Sequence, residues 1–112
     1  NVATLLPNEE LLGSFADPSK AVPFARICAR FFLESFFLEE GQLLRGVGKI
    51  KDIPGIIVQG RHDICTPPVS AWELKKAWPE AELWIVHDAG HSAGEPGIID
   101  GLVRATDKLA DA

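Results

Sequence analysis

The chain has 112 residues, 46% of them hydrophobic, and 16 acidic against 11 basic side chains give a formal net charge of −5. That length allows one modest core, and without a basic cluster to neutralise phosphates, neither nucleic acid nor an anionic membrane surface is an expected partner. No apolar run approaches the roughly 18 residues of a membrane span. Two cysteines, Cys28 and Cys65, make neither a disulfide framework nor a CxxC site, so reduced thiols and a cytoplasmic location are expected. The first residue is Asn1 rather than Met, and an upstream segment is expected from that.

Residues 1–18 are mixed, punctuated by Leu5-Leu6-Pro7-Asn8 and Ala16-Asp17-Pro18. Asp17 or Ser19 is suited to cap a helix starting near Lys20, with Pro23 in its first turn. From Val22 to Leu38 apolar residues are dense, and Phe24, Ile27, Cys28 and Phe31 have the spacing of one helical face. All six phenylalanines fall in the first 37 residues. Periodic aromatics ordinarily mean an internal helix core, which is the preferred reading. The alternative is a face that packs on something else or covers a pocket.

A polar joint, Glu39-Glu40-Gly41, leads to a short amphipathic piece over 42–47. Beyond Ile53-Pro54-Gly55 the pattern alternates. An apolar strand, Ile56-Ile57-Val58, ends in Gln59-Gly60-Arg61-His62-Asp63. A helix follows from Pro67-Pro68 to about Trp78, stopped by Pro79. A second strand over 82–86 ends in His87-Asp88-Ala89-Gly90-His91-Ser92, and a last helix runs over 98–110 with Ile98, Ile99, Leu102, Val103, Thr106 and Leu109 on one face. Such alternation predicts an α/β class with parallel strands. Two strands alone do not make a sheet covered on both faces, so this half is expected to be the terminal edge of a larger one.

Each strand delivers one reactive side chain at its C-terminal end, the edge where parallel sheets bind ligands. A carboxylate at Asp63 can orient and stabilise an imidazole; taken alone, it is better read as a turn cap, since Asp-x-x-Thr is ordinary loop chemistry. His91 alone is an unremarkable loop histidine. Together they carry more weight. Neighbouring parallel strands lie about 5 Å apart, so loops leaving them can bring the two groups into hydrogen-bond range.

Gly60-Arg61-His62-Asp63 and Ala89-Gly90-His91-Ser92 resemble the acid and histidine motifs that close α/β-hydrolases. More narrowly, the chain resembles the C-terminal part of the proline iminopeptidases. That likeness rests on Leu5-Leu6-Pro7, Phe24-Ala25-Arg26-Ile27, Gln42-Leu43-Leu44-Arg45, Ile53-Pro54-Gly55, Ala77-Trp78-Pro79-Glu80-Ala81-Glu82 and Glu95-Pro96-Gly97, in family order. It implies that residues 1–48 are part of a helical cap and residues 49–112 the C-terminal end of a hydrolase core. It implies catalytic roles for Asp63 and His91 beside a serine and oxyanion-hole amides upstream of Asn1, and no metal or organic cofactor. The implied substrate is a peptide or a small amide or ester, with proline preferred at its N-terminus, and the implied partner is the remainder of the core. At the position where the family places an amine-binding Glu, after Ala-Arg-Ile, this chain has Cys28, a weak donor. A second amine-binding carboxylate is expected at or just before Asn1.

Gly90-His91-Ser92-Ala93-Gly94 also matches G-x-S-x-G, but no histidine follows Ser92, whereas the fold orders its triad serine, acid, histidine. His62, Asp63, Cys65, His87 and His91 lack the close ligand spacing of a structural zinc site. Trp72, Trp78 and Trp84 are expected to pack, and His87 and Asp88 to end the strand at the surface. Two rival readings stand beside the peptidase. One is another α/β-hydrolase, an esterase or epoxide hydrolase with a different nucleophile; the other is a non-enzymatic interaction module built on the exposed aromatics and sheet edges.

Overall fold

A computed structural model describes residues 3–14 and 16–110. In chain order the elements are α1 (Glu9–Ser14), α2 (Pro18–Leu33), a 3-10 turn (Ser35–Phe37), α3 (Gln42–Gly46), a second 3-10 turn (Val47–Lys49), β1 (Gly55–Gly60), α4 (Pro68–Ala77), β2 (Ala81–Val86) and α5 (Pro96–Ala110). They divide into two compact units, residues 7–42 and residues 3–6 with 43–110. Asn1, singled out in the sequence, and Phe15, one of the six phenylalanines, lie outside the described residues.

In the first unit Asp17, not Ser19, caps α2. Its Oδ1 accepts from the Ser19 amide at 2.9 Å and the Ser19 hydroxyl at 2.7 Å, satisfying donors that a helix start leaves open. The helix therefore begins at Pro18, earlier than expected, with that proline in the first turn where its missing N–H costs nothing. Pro23 consequently falls inside the helix rather than in its first turn, and α2 forgoes the bond to the Ser19 carbonyl. The expected internal core is not formed. No residue of α2 is buried, and Phe24 and Ile27 are 55% and 60% exposed. The physical reason is a missing counterface, because the described residues of this unit supply only short helical pieces.

Immediately after α2, Ser35, Phe36 and Phe37 all take positive φ, at 49°, 57° and 58°. Left-handed backbone costs an L-residue roughly 1–2 kcal/mol. Aromatic pairing offsets part of that cost. Phe31 meets Phe37 edge-on at 5.5 Å and Phe32 meets Phe36 at 5.0 Å between ring centroids, contacts worth about 0.5–1.5 kcal/mol each.

In the second unit β1 and β2 are parallel, in register from Gly55 opposite Ala81 to Gly60 opposite Val86, with α4 as the crossover. Both strands stay half-buried along most of their length, and among the described residues each has one hydrogen-bonded neighbour. The two flanking helices take opposite faces. Gly101 of α5 lies so close to Val58 that a Cβ there would be 2.9 Å from its side chain. Trp78, which ends α4, stands against Gly55 and donates its indole N–H to the Ile53 carbonyl at 2.9 Å. Gly55 and Val58 are an odd number of residues apart, so alternation puts them on opposite faces. Buried apolar positions are mostly small: Val47, Ala71, Ala81, Ala89, Ile98 and Ala105. Trp84 carries Arg104 and Lys108 of α5 over its ring at 5.6 and 5.8 Å. Trp72 departs from the expected packing role and is 55% exposed. No helix among the described residues is long and apolar enough to cross a membrane.

Candidate active site

Because β1 and β2 end level, their C-terminal loops leave side by side, and the backbone keeps them joined past the sheet. The Arg61 amide donates to the Val86 carbonyl at 2.9 Å and the His62 amide to the Ala89 carbonyl at 3.0 Å. Gly60 makes this approach possible. A Cβ there would collide with the Gly90 carbonyl oxygen and lie 2.9 Å from that of Ala89, so a side chain would force the loops apart.

Asp63 follows directly, 6% exposed. Its Oδ1 accepts from the amides of Cys65 at 2.9 Å and Thr66 at 2.8 Å. Its Oδ2 accepts from the Thr66 hydroxyl at 2.7 Å, from Gln59 Nε2 at 3.4 Å, and lies 3.0 Å from His91 Nδ1. Burial alone would raise the carboxyl; the Thr66 amide and hydroxyl, His91 and the Cys65 amide outweigh it and bring it down to about 2. The group is ionised, and a carboxylate only accepts. The imidazole therefore carries its hydrogen on Nδ1, also 3.2 Å from Thr66 Oγ1, leaving the Nε2 lone pair as the basic atom. The His91 side chain is 42% exposed. The same carboxylate caps the Asp-x-x-Thr turn and contacts the imidazole.

The histidine loop is pinned from below. The amides of His91 and Ser92 both donate to the Ala3 carbonyl, at 3.0 and 2.6 Å. Glu95 accepts from the Gly90 amide through Oε1 at 2.8 Å and from the Leu5 amide through Oε2 at 3.0 Å. Ser92 Oγ accepts from the Gly94 amide at 3.2 Å, closing the turn that leads into α5. His87 and Asp88 are exposed at the end of β2, as expected, and His87 Nδ1 pairs with Arg61 at 3.0 Å. Cys28 belongs to the first unit, half-buried on α2.

Asp63, Cys65 and His91 bring oxygen, sulfur and nitrogen donors within 4.8 Å of one another. A cation there would have to displace N–H and O–H donors that already occupy both Asp63 oxygens. Gln59, Thr66 and Glu95 were not foreseen as site residues. Thr66 is visible in the Asp-x-x-Thr pattern, but there only as part of the turn that Asp63 caps. Glu95 stands in the sequence within Glu95-Pro96-Gly97, where nothing marks its carboxylate as an acceptor for the Gly90 amide.

The chain is 51% identical over 108 residues to a proline iminopeptidase of Arabidopsis thaliana, covering 96% of this chain and 28% of that protein. It is 49% identical over 104 residues to the proline iminopeptidase of Xanthomonas citri, covering 92% and 33%, and 45% identical over 94 residues to that of Neisseria gonorrhoeae, covering 83% and 30%. It thus spans about a third of the length of these curated relatives. No protein-family model matches.

Proposed function

We propose that this chain, which is a C-terminal portion of the proline iminopeptidase family, supplies the acid and the histidine of a serine peptidase that releases N-terminal residues, proline among them, from peptides. The observation that carries the reading is the 3.0 Å contact between His91 Nδ1 and Asp63 Oδ2 where two parallel strands end. In the mechanism, His91 Nε2 takes the proton of a serine hydroxyl contributed by the rest of the protein as its oxygen attacks the substrate carbonyl. The resulting imidazolium gives that proton to the departing amine as the C–N bond breaks, leaving an acyl-serine. Water then attacks the acyl group, losing its proton to Nε2, and the serine leaves with that proton. Asp63 holds the ring in one tautomer and stabilises the imidazolium without itself taking the proton.

Residues 49–112 would be the closing segment of an α/β-hydrolase core and residues 1–48 part of its cap, with the remainder of the core pairing on β1. The names of the relatives support proline at the substrate N-terminus. Cys28 supports a second reading, an amidase or esterase with a less polar pocket, because a thiol replaces a carboxylate where the family resemblance places an amine-binding Glu. Hydrolysis of prolyl, alanyl and N-acylated arylamides by the complete protein, wild type and His91→Ala, tests both. Loss of all three activities in the variant supports the triad, and the substrate preference decides between the readings. Full activity in His91→Ala would refute the triad.

A further inference from the structure

We infer that Glu95 is a positioning residue that sets His91 against Asp63, an inference that rests on the peptidase reading for its catalytic consequence but not for its geometry. Glu95 is the capping residue of α5. Its carbonyl accepts from the amides of Ile98 at 2.9 Å and Ile99 at 3.0 Å, and its amide donates to Ser92 at 3.1 Å. A side chain at a helix start usually serves its own helix. Here the half-buried carboxylate turns back instead, taking the Gly90 amide on one oxygen and the Leu5 amide on the other.

Gly90 immediately precedes His91. Leu5 belongs to the segment whose Ala3 carbonyl takes the His91 and Ser92 amides. One carboxylate therefore ties three pieces together: the start of α5, the histidine loop, and a strip of chain about 90 positions away in sequence. Two donors converging on two oxygens is a demand only a carboxylate meets, and a backbone amide bonded to an ionised acceptor makes the stronger kind of hydrogen bond. The α5 N-terminus further favours a negative charge there. No other side chain among the described residues bonds the Gly90 amide. With that bond removed, the Gly90 amide loses its side-chain acceptor, and the Ala3 carbonyl that takes the His91 and Ser92 amides sits on the strip that Glu95 anchors.

The test uses the complete protein as wild type, Glu95→Ala and Glu95→Gln. It reads kcat and KM on an arylamide and the low-field proton resonance of the His91 Nδ1–H bonded to Asp63. Glu95→Ala is expected to lower kcat by about 100-fold, the scale of a small misplacement of a catalytic group, with a smaller change in KM and a broadened or lost low-field resonance. Gln offers one acceptor oxygen and must set an N–H against the second amide, so Glu95→Gln should fall between the two. Wild-type kcat and an intact resonance in folded Glu95→Ala would overturn the inference. If the alanine variant does not fold, Glu95→Gln decides, and wild-type values in it overturn the inference. An inactive wild type whose resonance is still lost on Glu95→Ala would refute the peptidase reading while leaving the positioning role in place.

Discussion

Asp63 reaches its depressed pKa because the folded loop supplies donors that the unfolded chain lacks, and this gives its stabilising contribution a direction in pH. A carboxyl lowered to about 2 by folding stabilises the fold fully above its unfolded value of about 4, and that contribution is lost as pH falls from about 4 toward 2. Urea midpoints measured across that window should drop more steeply in the wild type than in Asp63→Asn, which has no charge to lose; parallel curves would contradict the assignment. The same substitution should lower kcat by about 10⁴-fold through loss of the correct tautomer. Thr66→Val removes the hydroxyl bonded to Asp63 and should cost about 1 kcal/mol in urea unfolding. It should leave activity reduced but not abolished, because the backbone amides of Cys65 and Thr66 remain.

At the scale of elements, the site exists because two strand ends are level and their loops can touch. Gly60→Ala should separate the loops with little effect on the strands themselves, measured as a large fall in kcat with near-native circular dichroism. Native activity in that variant would mean that the loops do not need the close approach. The order of strands and helices in this half was legible in the sequence, since apolar runs ending in Gly60-Arg61-His62-Asp63 and Ala89-Gly90-His91-Ser92 mark both periodicity and edge. The pairing of Asp63 with His91 was legible for the same reason. Glu95 was not, because its role depends on a carboxylate folding back across a turn to meet an amide from the far end of the chain, and local pattern carries no record of that. The burial of α2 was misread because aromatic spacing fixes which residues share a face, not whether anything covers it. The turn over 35–37 was unforeseen too: nothing in Ser-Phe-Phe marks positive φ, and the aromatic contacts that hold it are made after folding.

For the whole molecule, the half-buried strands and the exposed aromatic helix have one explanation in the proposed function. Under that proposal each is a surface that the remainder of the protein covers, the curated relatives being about three times the length of this chain. The most direct measurement is the intact mass of the complete protein before and after a fluorophosphonate, which labels activated serines, with the adduct then located by peptide mapping in wild type and His91→Ala. The account predicts a single adduct on a serine preceding Asn1 in the complete sequence, formed at least about 100-fold more slowly in the variant. No adduct, an adduct on Ser92, or labelling indifferent to His91 would contradict it.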